Sequence, residues 1–169
     1  MAAVGLGGCA AALPPSAFEG GNPRMRPEVF FAGTTRSSGV LENRSGAPTR
    51  RLHVQGEGRT LPDGGLQLMQ SVTLDRDAPT TRIWVMRRVD ERQYTATLTD
   101  ASGPVEGEAY VFNLSYSMVS PAGGRMGQWM YLQPDDRTVV NEATVSLFGV
   151  VVARLSERIT REGSLLVVP

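Results

Sequence analysis

From Glu28 onward apolar and polar residues alternate in short runs, broken by turn signals at intervals of roughly ten residues. Arg50 to Glu57 sets Leu52 and Val54 against Arg51, His53, Gln55 and Glu57. Pro62-Asp63-Gly64-Gly65 then carries hairpin chemistry. Leu66, Leu68, Val72 and Leu74 continue one face after it, with Gln70 as the polar exception. In Thr80 to Val89, Ile83 and Val85 oppose Arg82, Trp84 and Met86. Asp90-Glu91-Arg92-Gln93 leads into Tyr94 to Thr99, where Tyr94, Ala96 and Leu98 alternate with threonines. Ala109 to Met118 is the clearest stretch: Tyr110, Phe112, Leu114, Tyr116 and Met118 share one face, and Asn113, Ser115 and Ser117 the other. Pro121-Ala122-Gly123-Gly124 and Pro134-Asp135-Asp136-Arg137 bracket Met126 to Gln133. Thr138 to Leu147 and Val150 to Thr160 follow, with Gly149 kinking the chain between them.

Period-two alternation with regular turns, and no convincing helical period, predicts an all-β antiparallel up-and-down meander. A meander this long exposes two edges unless it closes, so the expected architecture is a barrel of about 8–10 strands. A β-sandwich is the alternative, but it asks for longer crossovers than these turns provide. Residues 1–27 are rich in Ala, Gly and Pro, and Pro14-Pro15, Gly20-Gly21-Asn22-Pro23 and Pro27 interrupt any helix or strand. The expected division is therefore a flexible leader over 1–27 and a single barrel domain over 28–169.

Composition narrows this picture. A chain of 169 residues fits one domain with enough buried surface to need no staples. The single cysteine excludes an internal disulfide. A net charge of zero argues against an electrostatic grip on nucleic acid or an anionic membrane. All 17 basic residues are Arg, a feature of GC-rich coding or, alternatively, of selection for bidentate anion binding. No apolar window of about 18 residues spans a membrane.

Recognisable catalysis is missing from the sequence. His53, the one histidine, lies on the polar side of a strand and reads as a solvated surface residue. Neither Asp75-Arg76-Asp77 nor Asp135-Asp136 has the spacing of a calcium loop; both read as turns. One His and one Cys do not make a zinc site, so no metal and no cofactor is expected. Glu106 and Glu108 share a face and read as solvated strand ends. Aromatics remain. Trp84, Tyr94, Tyr116, Trp129 and Tyr131 lie on separate strands, where polar-tipped rings either contact a ligand inside a barrel or pack its walls. Arg36 and Arg82 are candidate partners for an anionic head. Asn141 interrupts the apolar face of Val139, Ala143 and Val145 and is a candidate to orient a ligand. The candidate ligand-binding set is thus Arg36, Arg82, Trp84, Tyr94, Tyr116, Trp129 and Asn141. By alternation, Trp129 and Tyr131 oppose Met126, Met130 and Leu132, which points them outward.

Five stretches carry a resemblance: Phe30-Phe31-Ala32-Gly33 with Gly39-Val40, Arg82-Ile83-Trp84, Tyr94 leading to Asp100-Ala101-Ser102-Gly103, Trp129-Met130-Tyr131-Leu132, and Asn141 leading to Phe148-Gly149-Val150. In order and spacing the chain from Val29 to Arg161 resembles the bacterial family known as domain of unknown function three-eight-three-three. The resemblance implies a lipocalin-like (calycin-type) barrel and a Gram-negative lipoprotein; it implies no reaction. Three positions depart from the family pattern: Gln128 replaces an acidic residue, Asp77-Ala78-Pro79 replaces an Asp-Gly turn, and Ala109-Tyr110 lacks a glycine.

That implication gives the cysteine a meaning. Leu6-Gly7-Gly8-Cys9 matches the end of a lipoprotein signal, in which the cysteine receives the lipid. Only eight residues precede Cys9 and none is basic, so the expectation is a signal whose start lies upstream. The protein is then expected on the periplasmic side of the envelope, touching the membrane only through the anchor. If Cys9 is incidental, the cytoplasm is expected instead. The expected role is noncatalytic: a barrel holding a small apolar or amphipathic molecule. The alternatives are an interaction module with a solid barrel and a lipid-directed enzyme using the same cavity.

Overall fold

The alternating stretches become ten strands that close on themselves. The computed structural model describes residues 13–21, 23–120 and 123–163. In chain order the strands are β1 (Gly33–Asn43), β2 (Pro48–Thr60), β3 (Leu66–Leu74), β4 (Thr80–Arg88), β5 (Gln93–Leu98), β6 (Val105–Glu108), β7 (Phe112–Ser117), β8 (Arg125–Leu132), β9 (Thr138–Leu147) and β10 (Val150–Glu162). Each pairs antiparallel with the next, and β1 pairs with β10 from Thr34↔Glu162 to Asn43↔Ala153 to seal the ring. The expected lipocalin-like meander barrel is therefore present.

Side-chain parity follows the sequence. Leu52 and Val54 of β2, Leu66 and Leu68 of β3, Trp84 and Met86 of β4, and Tyr94, Ala96 and Leu98 of β5 are buried in the core. Arg51, His53, Gln55 and Glu57 are exposed on the outer face of β2, as are Arg154 and Arg158 on β10. Such an outer face is the reverse of the apolar band of a membrane-spanning barrel. Among the described residues no helix is long and apolar enough to cross a membrane.

One strand expectation is corrected. Ala109 to Met118 is not a single strand: β7 begins at Phe112, and Ala109 to Val111 turn the chain between β6 and β7. Tyr110 has φ 90°, a conformation that favours glycine, and so leaves the face shared by Phe112, Leu114 and Tyr116. The glycine missing from the family pattern is missing where the backbone asks for one. Two cations flank the Tyr110 ring in compensation, with the Arg24 and Arg92 guanidinium carbons 4.9 and 5.6 Å from its centroid. Its hydroxyl donates to Glu19 Oε1 at 3.0 Å.

The two ends of the barrel are built differently. At one end a single helical turn, α1 (Pro27–Phe30), delivers Phe30 and Phe31 into the core, and Met25 is 0% exposed beside them. The entry is so close that a Cβ on Gly58 would stand 1.7 Å from the Phe31 carbonyl oxygen. Residues 13–21 and 23–27, read in the sequence as leader, lie against the barrel. A 3₁₀ turn over Pro15–Phe18 sets Phe18 edge-on to Tyr131, with centroids 6.0 Å apart. Cys9 lies outside the described residues. At the opposite end Leu41, Val72, Leu74, Val145 and Leu147 face inward yet remain partly exposed.

Candidate functional site

Midway along the barrel axis the inward positions change character. Towards α1 they are apolar: Phe31, Leu68, Met86, Phe112, Met130 and Ile159. One pleat step nearer the other end they carry Gln70, Arg82, Gln128, Asn141 and Glu157, and the cavity lies where the two zones meet. Its space reachable by the centre of a water molecule is about 50 Å³. That holds a few waters, not a bulky ligand. Three methionines, Met86, Met126 and Met130, line it, and their unbranched side chains re-pack more readily than Leu or Ile.

Strand pairing fixes the polar belt. Asn141 of β9 stands opposite Glu157 of β10, and Glu157 stands opposite Gly39 of β1. Asn141 Nδ2 donates to Glu157 Oε2 at 2.9 Å, and Ser37 Oγ donates to Glu157 Oε1. On the far wall Trp84 Nε1 donates to Gln70 Oε1 at 2.9 Å, which explains the polar exception on β3. Arg82 Nη1 approaches Asp100 Oδ2 at 3.9 Å. Two buried atoms of this belt find no hydrogen-bond partner among the described residues: Arg82 Nε and Asn141 Oδ1. Asn141 is 2% exposed, so its orphan acceptor carries a cost of about 1–3 kcal/mol.

The seven candidate residues separate into three groups. Arg82, Trp84 and Asn141 line the cavity. Tyr116 and Tyr94 are buried in the core but do not line it. Tyr116 packs edge-on to Trp84 at 5.8 Å, and burial raises its hydroxyl pKa while the nearby Arg82 charge pulls it down. Tyr94 packs edge-on to Phe112 at 5.3 Å and donates to Glu28 Oε2 at 3.1 Å, tying α1 to the wall. Burial first, then the Glu28 charge, pushes its pKa up to about 12. Arg36 and Trp129 belong to the outer face. Arg36 is exposed and pairs with Glu162, and Trp129 stands between Asn113 and Glu142 in the outward register. For these two, contact with a ligand inside the barrel is excluded by strand parity.

Glu157, Gln128, Ser37 and Phe31 belong to the cavity wall or its support and were not among the candidate ligand contacts, although Phe31 and Gln128 stand in or against the family pattern. Glu157 had a signal: it alternates with Leu155 and Ile159 on β10, the position an inward apolar residue would take. His53 faces outward, with Nδ1 3.2 Å from Ser38 Oγ. The turn aspartates do what turns need. Asp75 takes the Arg50 side chain and the Arg51 N–H, and Asp135 takes the Thr138 hydroxyl, which holds both carboxyls below their ordinary range.

A search of solved structures returns the S-type phycobiliprotein lyase from Guillardia theta, with a TM-score of 0.63 and 11% identity. The match covers 83% of this chain and 94% of that one, and at this identity it shows the shared fold. A search of curated proteins finds no match. The family model described as "Protein of unknown function (DUF3833)" matches residues 3–161, nearly the whole chain, and the protein belongs to that family.

Proposed function

We propose that the protein is a noncatalytic carrier that holds one small, slender amphipathic molecule in the barrel, tethered to the periplasmic face of an envelope membrane through lipid on Cys9. The observation that carries the binding reading is that Arg82 and Asn141, two residues lining a methionine-rich cavity, each hold a buried polar atom, Nε and Oδ1, with no hydrogen-bond partner among the described residues. Buried polar groups without partners are costly, and a ligand that supplies the partners recovers that cost. The phycobiliprotein lyase of the same fold supports the reading in a general way. The tether rests on Leu6-Gly7-Gly8-Cys9 and on the family.

A second reading has its own observation. Phe148 is fully exposed at the β9–β10 turn, with Val150 and Val119 also exposed at the same end. An apolar tip of this kind suits a protein that docks on a partner. Native mass spectrometry of the full chain, purified from its own cells under mild conditions, separates the two. A stoichiometric adduct lost on denaturation is expected. A clean apo mass, with a partner retained instead, overturns the carrier reading in favour of the docking one.

A further inference from the structure

The open rim of the barrel carries apolar groups that the fold does not use. In an antiparallel meander every second turn lies at the same end, so the β1–β2, β3–β4, β5–β6, β7–β8 and β9–β10 connections all lie on this rim. The β7–β8, β9–β10 and β1–β2 turns follow one another around it, because β8 pairs with β9 and β10 with β1. A Cβ on Gly124 would stand 3.1 Å from Leu147 Cδ2, so the β7–β8 turn packs against the end of β9. Val119 of that turn is 64% exposed, Val150 is 45% exposed and Phe148 is 100% exposed. Phe148 also holds φ 50°, which costs an L side chain energy, and it gains no burial in return.

Charge on this rim is one-sided. Its acids are matched: Asp75 and Asp77 take the Arg50 side chain, Asp100 lies 3.9 Å from Arg82, and Glu42 stands opposite Arg154. Arg44, Arg76 and Arg125 are exposed and belong to none of the ion pairs among the described residues. The inner side of the rim leads to the cavity. Leu41 pairs with Leu155 and Val145 with Met126, and Leu155 and Met126 both line it.

We infer that this rim docks on a lipid bilayer, with the Phe148 turn entering the headgroup region and Arg44, Arg76 and Arg125 meeting lipid phosphates. A stable protein interface buries about 800 Å² on each side. One aromatic and two valines on separate turns offer protruding points instead of such a face. Binding at a bilayer surface grows with the apolar area inserted and the basic charge around it, and this rim supplies both. Zero net charge over the whole chain keeps that contact local. Docked this way, the barrel opens onto the membrane, and an amphiphile passes from lipid to the cavity without crossing water. That passage rests on the carrier reading; the docking does not.

Reporters at exposed positions test the docking without disturbing the core. In the full chain Cys9→Ala removes the native thiol. A nitrobenzoxadiazole dye is then attached through Val150→Cys on the rim or through Val89→Cys, 65% exposed at the α1 end. On vesicles of phosphatidylcholine and phosphatidylglycerol the rim dye is expected to brighten and shift to the blue, and the α1-end dye to stay unchanged. Phe148→Ser is expected to raise the lipid concentration for half the response about tenfold, the scale of one buried aromatic. Arg44→Gln with Arg125→Gln is expected to raise it by about as much, and less on phosphatidylcholine alone. A dye at the α1 end that responds as strongly, or a rim response untouched by Phe148→Ser, overturns the assignment. So does a silent rim dye, which leaves the tip to a protein partner. Any of these failures leaves the carrier reading standing, because that reading is judged by the native mass of the chain.

Discussion

The two ends of this barrel use the same pleated wall and do opposite things. At the α1 end Phe30 and Phe31 enter as a plug, Met25 is fully covered, and Tyr94 is bonded to Glu28. At the other end the inward residues stay partly exposed, Arg82 meets Asp100 only at 3.9 Å, and Phe148 stands wholly in solvent. Closure is therefore a property of a segment outside the meander. Strands make the tube, and a short N-terminal turn makes the floor. That division leaves the inward residues of one end partly exposed without loosening the core.

The largest effect expected from breaking this contrast comes from Gly58→Ala. A Cβ there meets backbone, not a flexible side-chain tip, at 1.7 Å from Phe31 O, so either β2 or the plug must move. Overpacking of this kind costs about 3 kcal/mol or more. In a domain of this size that lowers Tm by roughly 10 °C. Thermal unfolding followed by near-UV circular dichroism checks it. A variant as stable as the parent would show that the plug is not seated against β2.

The next effect is smaller and depends on pH. Tyr94 has its hydroxyl pKa raised to about 12 in the fold, against about 10 in an unfolded chain. Its neutral form is thus favoured by folding. The contribution is complete below pH 10 and is lost as pH rises through about 12, because there the unfolded state releases a proton that the folded state keeps. Its size is about 1–2 kcal/mol, since the hydroxyl end meets Glu28 near solvent. Tyr94→Phe keeps the edge-on contact with Phe112 and removes the titrating group. The parent is expected to lose more stability than the variant between pH 10 and 12 in urea unfolding; parallel curves would detach Tyr94 from the plug's pH response.

These ends also mark what was legible in the sequence. Alternation gave the strands and the closed meander, because period two is local; it grouped Arg82 with Trp84 and Met86 on one face but did not say which face was inward, and the register shifts at Leu41/Glu42 and Val151/Ala153 break the period. It did not give the plug. Phe30-Phe31 follows a proline-rich leader and packs by long-range contact, which no local period encodes. Tyr110 misled for a related reason. Apolar residues continue the alternation through it, yet the chain turns there with φ 90°, supported by Glu19 and Arg24 from far away in sequence. Trp129 and Arg36 lie on the outer face: the parity of Trp129 against Met130 and Leu132 already points outward in the sequence, whereas Arg36 stands among small polar residues, Thr34 to Gly39, that show no apolar alternation to place it. Glu157 was overlooked because a charged residue between two apolar ones reads as surface until its strand's facing is known.

The smallest expected effect sits at the open end and runs in the other direction. Leu147 pairs with Val150, so Phe148 and Gly149 form a two-residue hairpin turn with φ 50° and 80°. Both central residues at positive φ is the type I′ pattern, whose favoured sequence is Asn-Gly. Phenylalanine is a poor occupant of that conformation, and here it buries nothing in return, being 100% exposed. Phe148→Asn is therefore expected to stabilise the protein by about 0.5 kcal/mol, a rise of one or two degrees in Tm. The cavity should be unchanged, since Phe148 is not part of its lining. A stabilised variant with an unchanged near-UV circular dichroism spectrum would leave the aromatic without a role in folding or in the cavity. The remaining explanation for an aromatic in that turn is then contact with something outside the molecule. A destabilised variant would instead mean that the Phe148 ring packs on its own barrel in solution, and the open end would lose its apolar tip as a docking element.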